Sequence, residues 1–163
     1  MRARTFTLLA VVLAGGCGPG SPLVGTWRYD LDTVIPTATG PMTRTVTFDL
    51  ELGSSAAPDL VVWKIGGGCN VALGVTGKVA ELAAAPPLCG LSAGAQIPLI
   101  GETGTMVKSG DQLGVSAARF EVLDDGRLST RFDYKLYTDL RDSRVGPAFS
   151  VTTVAGKHGT RLK

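Results

Sequence analysis

The chain has 163 residues, of which 44% are hydrophobic, 18% charged and 6% aromatic, with 22 glycines, 3 cysteines and 1 histidine. That is enough for one domain with its own core, and too apolar for a disordered segment. Its 16 Lys+Arg against 14 Asp+Glu are scattered without a basic cluster, which excludes the electrostatic footprint of a nucleic-acid binder.

The first element is an address rather than a fold. Arg2 and Arg4 give a short positive start, and Phe6 to Ala14 is an apolar run. At about nine residues the run is far short of the ~20 that a membrane-spanning helix needs. Leu13-Ala14-Gly15-Gly16-Cys17 closes it with small residues and a cysteine. Read on the residues alone, Cys17 is either an attachment point or a disulfide partner in a secreted protein. The stretch resembles the lipobox of bacterial lipoproteins, although Ala14 stands where that family prefers leucine. The resemblance implies that residues 1–16 are a signal peptide and that Cys17 becomes an acylated N-terminus carrying palmitate-type chains. It also implies an exported lipoprotein with a lipid anchor. In that family an aspartate after the cysteine retains the protein in the inner membrane. Gly18 in its place implies the outer membrane of a Gram-negative cell envelope.

Without residues 1–16 the 16 Lys+Arg fall to 14, equal to the 14 Asp+Glu, so the exported part is balanced in side-chain charge. Residues 17–22 are the cysteine and a Gly/Pro/Ser tether, too short to cross a periplasm. Residues 23–163 are expected to form a single domain. Short runs rich in Val, Thr, Leu and aromatics between Gly, Pro, Asp and Ser predict an all-β chain.

Leu23 to Leu31 is the first predicted strand, with Trp27, Tyr29 and Leu31 on one face. Gly25-Thr26-Trp27 at its start is similar to the Gly-x-Trp motif of lipocalins. That resemblance implies a closed barrel whose tryptophan shuts one end beneath an arginine from the last strand, here Arg144 or Arg161. Pro36 to Pro41 is expected as a loop. Thr43 to Glu51 alternates with Val46, Phe48 and Leu50 inward, and Leu60 to Ile65 places Val61, Trp63 and Ile65 on one face.

Gly66-Gly67-Gly68 is a tight turn and no phosphate loop, since no Lys-Ser/Thr and no helix follow it. Cys69 to Val75 alternates again, and Lys78 to Ala84 fits either a strand or a helical turn before Pro86-Pro87. Cys69 and Cys89 form an even pair in an exported chain, which predicts a disulfide closing a loop of about 20 residues, worth roughly 3 kcal/mol. A metal site would need the histidine neighbours or the Cys-x-x-Cys spacing that are missing there. Trp63 to Cys89 also resembles small myxobacterial envelope lipoproteins, in which a Gly-Cys strand and a later cysteine flank a hairpin; that resemblance brings no activity.

Gly90 to Ile100 is apolar and glycine-rich, with a strand conceivable at Gln96–Ile100. Thr105 to Lys108 and Gln112 to Leu123 flank a turn at Ser109-Gly110-Asp111; Leu113 and Val115 face one way and Phe120 and Val122 the other, a change of phase that puts a bulge near Ala117-Ala118. Asp124-Asp125-Gly126 turns the chain into Arg127 to Thr138, with Leu128, Phe132, Tyr134 and Leu136 inward. Arg144 to Val154 is the expected last strand and Gly156 to Lys163 a polar tail. The sum is an antiparallel meander of about eight to ten strands, a barrel or else a sandwich.

Little in the chain points to catalysis. His158 falls in the expected tail, where no nucleophile could use it as a base. Asp124-Asp125 is explained by its turn, Asp30 and Asp32 share a solvent face, and neither pair has calcium-loop spacing. No enzymatic activity, metal or cofactor is expected. Two functions are open. One is a lipid-anchored barrel binding a small apolar ligand or lipid among Trp27, Tyr29, Trp63, Phe132 and Tyr134. The other is a structural or interaction protein of the envelope, with a filled core and an exposed apolar patch near Gly90–Ile100.

Overall fold

A long hairpin sets the frame. In the computed structural model, which describes residues 21–37, 39–82, 88–97, 107–138, 149–152 and 158–162, strand β1 (Gly25–Thr37) pairs antiparallel with β2 (Gly40–Ser54) along its whole length. Both strands are longer than their alternating cores suggest. Pro36 and Pro41, expected in a loop, lie opposite each other in this ladder. Proline is tolerated in a strand wherever its missing N–H faces an unpaired edge. Conversely, Leu23 and Val24 precede the strand as part of a turn closed by Val24 N–H to the Ser21 carbonyl, 3.1 Å.

The remaining strands are β3 (Leu60–Gly66), β4 (Cys69–Thr76), β5 (Val79–Leu82), β6 (Leu88–Gly90), β7 (Gln112–Val122), β8 (Leu128–Tyr137), β9 (Phe149–Thr152) and β10 (His158–Arg161). Among the described residues there is no helix, and Lys78 onward resolves into the strand β5. Eight strands close a ring in the order β7-β5-β4-β3-β2-β1-β10-β8, with β8 returning to β7. The fold is a closed antiparallel barrel, consistent with a lipocalin-like barrel. The two extra strands fill out edges: β6 continues the position of β5 along β7, and β9 continues that of β10 along β8.

Two sequence expectations need correction here. Residues 156–163 were expected as a polar tail, yet β10 is the strand that closes the barrel, pairing Trp27 with Arg161 on β1 and Gly159 with Leu128 on β8. His-Gly-Thr-Arg has no apolar alternation, so a pattern search passes over it. Gly159 is required because Tyr29 occupies the space its side chain would take: a Cβ there would meet the Tyr29 ring at 2.3 Å. The second correction concerns β7. Its register shifts between Val115 and Ala117, leaving Ser116 as the inserted residue. The insertion brings Leu113 and Val115 before it, and Ala118, Phe120 and Val122 after it, onto the same inner face.

Alternation elsewhere holds. On β8 the inward Leu128, Phe132, Tyr134 and Leu136 are all at most 1% exposed. The outward residues form ion-paired rows such as Arg28–Asp49 and Lys64–Glu51, each directly opposite on neighbouring strands. Residues 1–20, with the proposed signal peptide and Cys17, lie outside the described residues, as do Arg144, Pro86 and Pro87.

Candidate functional site

The site follows from how the two barrel ends and the lumen are filled. Antiparallel connectivity puts the β2–β3, β4–β5 and β7–β8 turns, the start of β1 and the end of β10 at one end of the barrel. The β1–β2 and β3–β4 turns lie at the other.

At the first end, Leu23 is fully buried and Trp27 is 1% exposed. The Trp27 indole Nε1–H donates to the Leu23 carbonyl at 3.1 Å, so the incoming chain is held under the barrel as a plug. The Arg161 guanidinium lies over the Trp27 ring, 5.6 Å from its centroid, and its Nη2 donates to the Val24 carbonyl. Of the two arginines left open by the sequence, Arg161 lies over Trp27, and Arg144 falls outside the described residues. Beside it lies a cleft of about 720 Å³ lined by Val24, Gly25, Thr26, Arg161 and Leu162.

The lumen holds a continuous group of rings. Tyr29 stacks on Phe48 at 5.5 Å, and Phe48 meets Phe132 at 6.3 Å. Trp63 lies 5.0 Å from Phe132, 5.2 Å from Phe120 and 6.4 Å from Tyr134. Strand β3, which carries Trp63, and β8, which carries Phe132, are diametrically opposed in the ring. Their contact therefore spans the lumen. Such offset and edge contacts each add about 0.5–1.5 kcal/mol beyond burial. Tyr29 also donates its hydroxyl to the Leu128 carbonyl at 2.8 Å. Burial pushes the Tyr29 and Tyr134 phenols far above the usual tyrosine range, so both stay neutral.

At the other end a strap runs over the β3–β4 turn. Cys69 and Cys89 are bonded, with Cα atoms 5.2 Å apart, and tie β6 to the start of β4. Beyond β6, Leu91 is 5% and Ile97 3% exposed. A Cβ on Gly67 (φ +60°) would meet Ala95 at 2.6 Å and Leu91 at 3.2 Å, so only glycine lets the strap lie this close. Leu91 N–H donates to the Asp111 carbonyl and Gly94 N–H to the Val107 carbonyl, each at 2.9 Å. This corrects the expectation of an exposed patch at Gly90–Ile100 for its described part, residues 90–97: Leu91 and Ile97 face the core. Val107 and Lys108 are not in a strand, and Ser109-Gly110-Asp111 is a turn held by Asp111 Oδ2 accepting from Lys108 N–H at 2.7 Å. Leu88 is the exposed large hydrophobic among the described residues, at 63%.

Of the residues suggested for a ligand, the structure brings Tyr29, Trp63, Phe132 and Tyr134 into one cluster and leaves Trp27 in the plug. Phe48 and Phe120 belong to the cluster as well. Phe48 follows the inward phase read from the sequence, whereas Phe120, read as facing away from Leu113, is brought inward by the bulge. His158 is half-buried in β10 rather than in a solvated tail. Among the described residues, no three His, Cys, Asp or Glu side chains gather as a metal site.

Fold and site together define a small closed β-barrel with a plugged end, a lumen crossed by touching aromatic rings and a disulfide-clasped strap. No protein-family model, curated protein or solved structure matches the chain.

Proposed function

We propose that this chain is a lipid-anchored lipoprotein of the bacterial cell envelope whose barrel is a filled scaffold that presents its outer surface to an envelope partner. The anchor reading is supported by Leu13–Cys17 and by Cys69 and Cys89 satisfying each other, which leaves Cys17 as the odd thiol. An oxidising, exported compartment suits that disulfide.

The observation that carries the scaffold reading is the contact of Trp63 with Phe132 across the lumen. Rings from opposed walls that touch one another occupy the volume an enclosed apolar ligand would use. The test is a titration of the purified full chain with a fluorescent apolar probe such as N-phenylnaphthylamine. No saturable uptake is expected. Micromolar binding displaced by a fatty acid would return the ligand-carrier reading instead. The anchor is tested separately: Cys17→Ala should abolish incorporation of labelled palmitate, and a wild-type chain that takes up none would overturn it.

A further inference from the structure

The cleft beside Arg161 has the chemistry of a headgroup site. It is lined by two apolar residues, Val24 and Leu162, together with Gly25, Thr26 and Arg161. The Arg161 guanidinium is held differently from those of Arg28, Arg119 and Arg127. Arg28, Arg119 and Arg127 are each held by a carboxylate. Arg161 is bonded to the neutral Val24 carbonyl, and among the described residues no carboxylate pairs with it. Among the described residues its charge therefore meets no anionic partner at the rim of the cleft. Its place over the Trp27 ring and the bond to Val24 hold it at the cleft, which lowers the ordering cost of binding an anion.

The position of the cleft names the anion. Val24 and Gly25 form its wall, and the chain enters the barrel through Ser21 to Val24 just beside it. Only four peptide units separate Cys17 from Ser21, a reach of at most about 14 Å. An acylated Cys17 would thus hold the cleft against the headgroup layer of the leaflet it is anchored in. We propose that the Arg161 cleft binds the phosphodiester of a membrane glycerophospholipid, with the guanidinium on the phosphate oxygens and Val24 and Leu162 against the glycerol backbone. Arginine suits phosphate because its planar fork can place two N–H groups on two oxygens. The proposal rests on the anchor reading above. It adds an orientation: the plugged end faces the bilayer and the strap faces away.

The experiment uses the full chain purified in an uncharged detergent and labelled with 15N. The two indole N–H resonances are assigned with Trp27→Phe. Dihexanoyl-phosphatidylglycerol is expected to shift the Trp27 indole resonance saturably and leave that of Trp63 in place. Arg161→Gln is expected to weaken the response at least tenfold, and Arg161→Lys to restore most of it. An unmoved Trp63 resonance reports that each variant is folded. If Arg161→Gln disturbs it, Leu162→Asp, which places a competing carboxylate in the cleft, must weaken binding tenfold as well. Absence of any shift, or equal affinity in Arg161→Gln, would overturn the site. Inorganic phosphate binding as tightly as the lipid would overturn the lipid assignment. The mass of the same sample reports acylation at Cys17, so an unacylated chain that still binds defeats the anchor reading alone, and an acylated chain that does not bind defeats the cleft alone.

Discussion

Trp63 and Phe132 sit on strands that face each other across the barrel, and their rings lie 5.0 Å apart. A contact of this kind bridges the lumen from wall to wall. Trp63→Ala should therefore open a void rather than trim a wall. The expected loss of stability is about 3–5 kcal/mol, measured as a shift in the urea midpoint. The variant should also acquire binding of indole or benzene that the wild-type protein lacks.

Gly159 and Tyr29 make a second close pair, on the strand that seals the barrel. Gly159→Ala drives a methyl group into the tyrosine ring, and overpacking of this sort costs about 1–3 kcal/mol. In a Tyr29→Ala background the same change should cost much less, because the ring it strikes is gone. A double-mutant cycle measures the difference; simple additivity would show that the two residues do not meet.

The Cys69–Cys89 bond should stabilise the strap more than the barrel. Replacing both cysteines with alanine is expected to lower stability by about 3 kcal/mol, as its 20-residue separation implies. Hydrogen exchange adds the local readout. The Leu91 and Gly94 amides, which bond to Asp111 and Val107, should lose protection first, while the Leu136 amide in β8 keeps most of its own.

The buried phenols give the barrel a limit at alkaline pH. Tyr29 and Tyr134 are raised above the value of about 10 that they have in the unfolded chain. Below pH 10 neither state has lost the proton, and the contribution of these groups is intact. Above it the unfolded chain releases protons that the folded one retains, so stability falls as pH rises. The expected slope is about 1.4 kcal/mol per pH unit for each tyrosine. Denaturation midpoints between pH 9 and 11.5 measure it, and Tyr134→Phe should remove close to half. At the acidic end the effect is smaller: Arg28 holds Asp49 below the usual carboxylate range and Arg127 does the same for Asp125. The stability those exposed pairs contribute is present above about pH 4 and fades as pH falls below it.

Much of this architecture is legible in order along the chain. Inward and outward positions on β3, β4 and β8 follow from alternation, and the pairing of Cys69 with Cys89 follows from cysteine arithmetic. Less legible were features without a local pattern. Pro36 and Pro41 read as loop residues because proline breaks strands, yet a hairpin with open edges has room for both. The bulge at Ser116 was expected one residue late. Its consequence, that Phe120 shares a face with Leu113, required the partner strand β8 to fix the register.

The sequence by itself determined which residues are apolar, where strands begin to alternate, that two cysteines can pair, and that Cys17 is the odd one. These are local properties, carried by composition and spacing. Only the tertiary structure decided that the tail closes the barrel, that Arg161 lies over Trp27, and that the rings of opposed walls meet. Those outcomes depend on which segments come together across the ring. Closure is a property of the whole sheet: β10 has no burial pattern of its own, and its place is set by the gap that β1 and β8 leave between them.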